Sequence, residues 1–142
     1  MGDEAQPEAA GAANHQELLG RLSRETALIQ KDAFGKGPVA VRSYLFDDLL
    51  LVVMRDGLTV AEKTMLEFGQ GDLVRQFRQT FENEMTSRFV DMVEAVTARK
   101  VLTYQSQIMF NPDVVIEIFV FDRELDGEFV SAEITSEDDA PA

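Results

Sequence analysis

The chain of 142 residues has the length of one ordinary domain, and its 45% hydrophobic and 27% charged residues are typical of a folded globular protein. It contains no cysteine, which excludes disulfides, thiol catalysis and cysteine-bound zinc or iron–sulfur centres. The formal net charge of −13 argues against nucleic acid as a partner, because a phosphate backbone would be repelled.

The acidity is concentrated at the two ends of the chain. Residues 1–13 carry three acids and no base, and residues 122–142 carry eight acids against Arg123 alone. We expect both segments to be disordered acidic tails that flank a single domain at residues 14–121. Alternatively, an acidic tail docks on a basic partner or on arginines of the chain's own body.

Targeting signals are not recognisable in the sequence. The N-terminal residues are acidic where a signal peptide would be positively charged, and no apolar run reaches the length of a membrane span. We therefore expect a cytoplasmic protein that does not insert directly into a membrane.

A first helix is predicted from residue 14 to about residue 34. Asn14 and Glu17 have the spacing of a capping box. In this motif the first residue's side chain bonds the backbone N–H of the residue three positions later, whose side chain bonds the backbone N–H of the first. Residues that form one apolar stripe then recur at three- and four-residue steps: Leu18, Leu19, Leu22, Thr26 and Ile29. Gly35 is positioned to end the helix.

Two strands and a short helix should follow. Residues 39–46 are rich in β-branched, aromatic and leucine side chains, and residues 49–54 are continuously apolar, with a turn between them. Because the second strand lacks a polar face, it should lie inside the sheet or be covered on both faces. Thr59 and Glu62 form a second capping box, which predicts a short helix to about residue 68.

The longest predicted element is a helix over residues 72–97. Its length of about 39 Å would exceed the reach of about 23 Å of a seven-residue strand, so part of its apolar stripe needs another cover. We expect a homodimer. The predicted dimer seam consists of Phe77, Phe81, Met85, Phe89, Met92 and Val96.

Two alternatives to that seam remain open. The helix could end or kink near Thr86 and Ser87 and pack within one chain. The Phe and Met stripe could also serve as an adaptable groove for a protein partner.

Two more strands are predicted at residues 100–110 and 114–121, joined by the turn-forming sequence Asn111-Pro112-Asp113. The element order is then α-β-β-α-α-β-β. This order predicts an α+β two-layer sandwich, with a four-stranded, mainly antiparallel sheet and the helices on one face.

The sequence contains no pattern that indicates catalysis. His15 is the single histidine and is expected on the surface of the first helical turn, so the sequence contains no histidine pair for a metal and no Ser-His or Cys-His couple for nucleophilic catalysis. Acid pairs such as Glu82 and Glu84 are interpreted as solvated charge. We therefore expect no enzyme activity, no cofactor and no metal site.

The candidate ligand or interaction residues are a glycine-rich turn and three arginines: Gly35, Lys36, Gly37, Pro38, Arg42, Arg75 and Arg78. Glycine N–H groups and the Lys36 ammonium could bind an anion, although termination of the first helix explains the same turn. The arginines would form a basic patch if strand and long helix face each other. Pairing of the helical arginines with Glu82 or with the acidic tail is the alternative.

Several of these motifs resemble those of one bacterial family. They are the turn at residues 35–38, the Val41-Arg42 pair, the segment 57–63 and the run Arg99-Lys100-Val101. The family is known as the C component (MpsC) of the Na+-translocating membrane-potential-generating system, and the resemblance extends over about residues 14–121. Where that family has a glycine before Arg-Lys-Val, this chain has Ala98.

The resemblance implies an accessory or regulatory role linked to membrane ion or bicarbonate transport, and it carries no catalytic residues. Our leading hypothesis is a non-enzymatic cytoplasmic accessory protein that acts through protein contact at a membrane transport complex. The alternative hypothesis is a sensor of a small anion or nucleotide, which would be bound by the turn at residues 35–38 and by Arg42.

Overall fold

The computed structural model describes residues 7–123, with side chains from His15 onwards. Of the predicted tails at residues 1–13 and 122–142, residues 1–6 and 124–142 lie outside the described residues. The elements in chain order are α1 (Pro7–Phe34), β1 (Ala40–Phe46), β2 (Leu49–Arg55), α2 (Val60–Glu67), α3 (Gly71–Glu84), α4 (Thr86–Thr97), β3 (Val101–Met109) and β4 (Val114–Phe121).

The four strands form one antiparallel sheet in the order β1-β2-β4-β3. The two most apolar strands, β2 and β4, are therefore internal, as the sequence predicts for β2. The register aligns Ser43, Val52, Glu117 and Ser106 in one row across the sheet. Strand β3 leaves this register next to Leu102, whose side chain is 62% exposed.

One face of the sheet carries the helices, which confirms the predicted two-layer α+β sandwich. Helix α1 packs on β1 and β2, and α3 and α4 pack on β3. The core between the layers consists of Leu22, Ile29, Leu45, Leu50, Val52, Phe89, Val93, Phe119 and Phe121, none of them more than 4% exposed. Full burial of one such side chain stabilises the fold by about 1.5–3 kcal/mol.

Helix α1 begins earlier than the sequence predicts. It starts at Pro7 instead of Asn14, so residues 7–13 are helical and are not part of a tail. Proline suits the first helical position because its missing N–H has no partner to lose there. The predicted stripe is confirmed from Leu18 to Ile29, and Gly35 ends the helix with a φ of 77°.

The predicted long helix is wrong as a single element. It is interrupted at Met85, whose ψ of 5° departs from helical geometry, so α3 ends at Glu84 and α4 starts at Thr86. The Thr86 hydroxyl donates to the Glu82 carbonyl at 3.2 Å, a local bond that competes with the helical ladder. After the break, α4 packs on α1 and on β3, and its Phe89 is fully buried.

The end of α4 provides a test of backbone strain. Ala98 adopts left-handed geometry (φ 57°, ψ 31°) at the position where the resembled family has glycine. Because this conformation is unfavourable for a side chain with a Cβ, Ala98→Gly should stabilise the protein by about 1 kcal/mol and raise Tm by about 3 °C. Thermal unfolding measures the change.

A matched control lies in the same helix. Ala95 is exposed within regular α4, where glycine costs about 1 kcal/mol, so Ala95→Gly should lower Tm. The strain argument fails if the two substitutions shift Tm in the same direction.

Candidate functional site

Two buried polar clusters and two apolar surfaces stand out in the described part of the chain. The first cluster is the ion pair between Arg78 of α3 and Glu62 of α2, with side chains only 3% and 7% exposed. Arg78 donates from Nε and Nη2 to the two carboxylate oxygens, at 2.6 Å each. Nη2 also donates to the Gly57 carbonyl at 3.0 Å, and the guanidinium lies 3.7 Å from the ring centroid of Phe34.

Glu62 links this ion pair to the capping box at the start of α2. Its Oε1 accepts from the Thr59 N–H at 2.8 Å, and its own N–H donates to the Thr59 hydroxyl at 3.2 Å. Burial alone would raise the pKa of Glu62, but the hydrogen bonds from Arg78 and Thr59, together with the charge of Arg78, outweigh burial and lower it. The pair therefore stays ionised and fixes α2 to α3.

The second cluster brings two carboxyl groups together without a basic partner. Glu82 of α3 and Glu117 of β4 are 1% and 0% exposed. Tyr104 Oη donates towards Glu117 at 3.0 and 3.1 Å from its two oxygens, and lies 3.5 Å from Glu82 Oε2. Gln30 of α1 donates to Glu82 Oε1 at 2.8 Å. We call these four residues the acid cluster.

Protonation of the acid cluster differs from that of exposed carboxylates. Burial, and then the neighbouring Glu82 carboxyl, raise the pKa of Glu117 well above its usual value of 4.5. Burial and the two carboxylates also raise the pKa of Tyr104, which therefore remains a hydrogen-bond donor. The two carboxyl groups lie within hydrogen-bond reach of each other and can share one proton.

A cavity of about 230 Å3 opens beside the acid cluster, between α3 and β3. Its lining is polar and consists of Gln79, Glu82, Asn83, Thr86, Tyr104, Gln105, Ser106 and Gln107. Ser106 is 6% exposed, and its hydroxyl has no partner in hydrogen-bonding geometry. The cavity is large enough for several water molecules.

An apolar cleft of about 320 Å3 lies between α2 and α3. It is lined by Ala61, Glu62, Met65, Leu73, Val74 and Phe77. Leu73 and Phe77 are 51% and 48% exposed at its rim, so this cleft retains the solvent-facing part of the predicted apolar stripe.

The sheet face opposite the helices is apolar along its centre. The helices contact only the helix-covered face in these pairs: Ser23 bonds Ser43, and Glu82 and Phe89 contact Tyr104. The strand alternation places on the opposite side eight half-buried residues, Tyr44, Phe46, Leu49, Leu51, Val53, Ile116, Ile118 and Val120. We call these eight residues the open sheet face.

Comparison with known proteins adds family membership to this geometry. Residues 14–123 match the family model described as Na+-translocating membrane potential-generating system (MpsC). The chain belongs to the MpsC family. It is also similar to an uncharacterised protein of Bacillus subtilis, YrhF, with 22% identity over 102 residues that cover 70% of this chain and 84% of the relative. No solved structure matches the chain significantly.

Two absences within residues 7–123 concern membranes and metals. No helix within residues 7–123 of this MpsC-family chain is both long and apolar enough to cross a bilayer. The described residues also contain no group of three or more histidine, aspartate or glutamate side chains arranged to hold a metal ion.

The predicted anion-binding turn of the MpsC-family motif has a structural role in the fold. Gly35 ends α1, and Lys36 Nζ donates to the backbone carbonyls of Asp56 and Leu58 at 2.9 and 3.2 Å. Gly37 lies close to α1, and Pro38 packs against Gly57. The lysine thus fixes the loop before α2, and an anion would have to compete with these two carbonyls for its ammonium group.

The three arginines do not form one patch. Arg42 is exposed on the edge strand β1, on the same side as the open sheet face. Arg75 and Arg78 are on α3, which packs on the opposite edge strand β3. Arg75 is exposed beside Asp72 and stacks over Phe110, whereas Arg78 pairs with Glu62 and not with the predicted Glu82.

Most of the predicted dimer seam lies inside one chain. Phe89 is fully buried, and Met85, Met92 and Val96 pack against the same core. Phe81 is half-buried and contacts Phe34 and Phe77. Since the break at Met85 directs α4 onto the sheet, these residues do not form a continuous exposed seam, and dimerisation itself stays a prediction.

The sequence interpretation named Arg78 and Glu62 but did not predict that they pair, and it missed the acid cluster. Glu82 is buried, contrary to its interpretation as solvated charge, and His15 is buried at 7% exposure, contrary to its predicted surface position. One signal was available, because Glu117 is the sole charged residue within the apolar strand β4. A charge in the middle of an internal strand must face either solvent or a polar partner.

Proposed function

We propose that this MpsC-family chain is a non-enzymatic accessory protein that acts through protein contact with a membrane Na+ system. The open sheet face is the observation that carries this proposal. Its three strands measure about 23 Å by about 14 Å, roughly 300 Å2 in projection, which is in the range of the functional apolar patches of small proteins. The family description supplies the membrane Na+ system as the class of partner.

The proposal includes a cytoplasmic location and a regulatory role, with attachment to the membrane through a protein partner and not through insertion. One end of the open sheet face carries positive charge. Arg42 and Arg55 are exposed at the same end of β1 and β2, so an apolar partner surface with acidic groups at one side would be complementary.

Site-specific photo-crosslinking in cells of the source organism tests the proposal. A photoreactive residue replaces Ile118, which lies at the centre of the open sheet face beside Leu51. We expect covalent adducts with a subunit of a membrane Na+ transport system. Formation of no adduct, or of adducts with another copy of this chain alone, would reject the proposed contact.

Charge substitutions provide the matched comparison. Ile118→Glu places a charge in the apolar centre and should reduce recovery of the partner at least tenfold. Gln105→Glu adds the same charge at the neighbouring register position, where Gln105 is already exposed on the edge strand, and should leave recovery within twofold. Equal recovery with both variants would contradict binding through this face.

A further inference from the structure

The acid cluster has too few hydrogen-bond donors for its carboxylate oxygens. Glu82 and Glu117 present four oxygens in a buried environment. Gln30 supplies one N–H, and Tyr104 supplies one O–H, which can be donated to a single oxygen at a time. A proton shared between the two carboxyl groups would satisfy only the oxygens that face each other. Buried carboxylates normally gain several hydrogen bonds or a positive partner, so this pair lacks part of its compensation.

Positive charge is also missing around the cluster. Arg78 lies one helical turn from Glu82 on α3, but its hydrogen bonds from Nε and Nη2 go to Glu62 and to the Gly57 carbonyl. Neither Glu82 nor Glu117 forms an ion pair with any of the described residues. When both carboxyl groups are ionised, the pair is therefore a buried concentration of negative charge that a cation would stabilise.

A third oxygen, the hydroxyl of Ser106, stands at the same place, close enough to Glu117 to lower the pKa of that carboxyl group. Ser106 is directly opposite Glu117 in the β3–β4 register, so the two side chains are neighbours on the helix-facing side of the sheet. Its buried hydroxyl has no partner in hydrogen-bonding geometry, and Ser106 lines the polar cavity together with Glu82. The cavity connects this oxygen to the exposed side chains of Asn83, Gln105 and Gln107.

We propose that Glu82, Glu117 and Ser106 form a binding site for a hard cation, with water molecules in the adjoining cavity as its remaining ligands. Carboxylate and hydroxyl oxygens are the ligands that Na+, Ca2+ and Mg2+ take in proteins, and these ions commonly keep some bound water. Tyr104 and Gln30 hold the carboxylates in place by donating to them. The site lies on the helix side of the sheet, opposite the open sheet face, and does not require the proposed partner.

Thermal unfolding of the purified full-length protein in choline chloride, after treatment with a chelator, tests this site. Choline is replaced by Na+ or K+ at constant ionic strength, and Ca2+ or Mg2+ is added in parallel samples. We expect Tm to rise by several degrees with Na+, Ca2+ or Mg2+, in proportion to the logarithm of the cation concentration above its Kd. The monovalent and divalent arms identify the charge of the ion.

Variants separate coordination from a general salt effect. Ser106→Ala removes the unpartnered hydroxyl and should weaken the apparent Kd at least tenfold while the protein remains folded. Glu117→Gln preserves the shape of the side chain and should abolish the response. Glu84→Gln removes the same charge at an exposed position two residues from Glu82 and should leave the response unchanged.

The proposal is overturned if none of Na+, Ca2+ and Mg2+ raises Tm beyond the choline reference. It is equally overturned if Glu117→Gln responds as the original protein does, because the cation would then act elsewhere. In either case the shared proton alone compensates the two carboxyl groups.

Discussion

Replacing Arg78 with methionine is expected to destabilise the protein by about 3–5 kcal/mol, the usual cost of leaving one member of a buried ion pair without its partner. Methionine fills a similar volume but cannot donate to Glu62 or to the Gly57 carbonyl. It also removes the cation–π contact with Phe34. Urea unfolding monitored by circular dichroism measures the change in the free energy of unfolding.

The pH dependence of this effect has a defined sign. Because Arg78 lowers the folded-state pKa of Glu62, the pair stabilises the native protein above the unfolded value of 4.5, and this contribution is lost as pH falls through the lowered value. The difference between the original protein and Arg78→Met should therefore shrink as the pH falls below 4.5.

Arg75→Met is the control for the loss of Arg78. Arg75 lies one turn earlier on the same helix, and its side chain is 49% exposed beside Asp72, so its removal should cost less than about 1 kcal/mol. The double variant Glu62→Gln/Arg78→Met should also lose less than the sum of the single changes, since the two groups interact directly. Equal losses for Arg75→Met and Arg78→Met would contradict the assigned pairing.

Glu117→Gln is expected to stabilise the protein at neutral pH in a buffer without metal salts. Since the folded-state pKa of Glu117 is raised, its contribution to stability is complete below 4.5 and declines as pH rises towards the raised value. The original protein should lose about 1.4 kcal/mol per pH unit in this window. Glutamine cannot ionise and can still donate to Glu82, so the variant should keep its stability.

Unfolding curves recorded between pH 4 and pH 8 test this divergence. We expect the original protein and Glu117→Gln to have similar stability near pH 4 and to separate progressively above pH 4.5. Glu84→Gln changes the net charge equally at an exposed site and should follow the original curve. Parallel curves for Glu117→Gln and the original protein would show that Glu117 ionises normally in the fold.

Local sequence patterns predicted the elements that local interactions define. The capping pair Thr59 and Glu62 starts α2, and Gly35 ends α1, because these effects depend on residues within one helical turn. The continuous apolarity of β2 likewise predicted an internal strand, since such a strand has no side suited to solvent.

Interactions between distant segments could not be predicted in the same way. Arg78 is four residues from Glu82, an ordinary spacing for a helical ion pair, yet it pairs with Glu62 of another helix. The helix break at Met85 contains neither glycine nor proline, so the sequence offered a kink near Thr86 and Ser87 only as an alternative to one continuous helix. The acid cluster combines residues of α1, α3, β3 and β4, so it exists only after the two layers have assembled.

The irregular register beside Leu102 hinders the addition of further strands at the β3 edge of the sheet. Strand β3 is a border of the sheet, and the same strand carries exposed polar residues at Thr103, Gln105 and Gln107. A strand of another molecule that paired with this edge would meet an interrupted row of backbone hydrogen-bonding groups. It would also lie beside hydrophilic side chains. Fibril-like growth from β3 is therefore disfavoured, although the same sheet has an apolar surface that faces away from the helices.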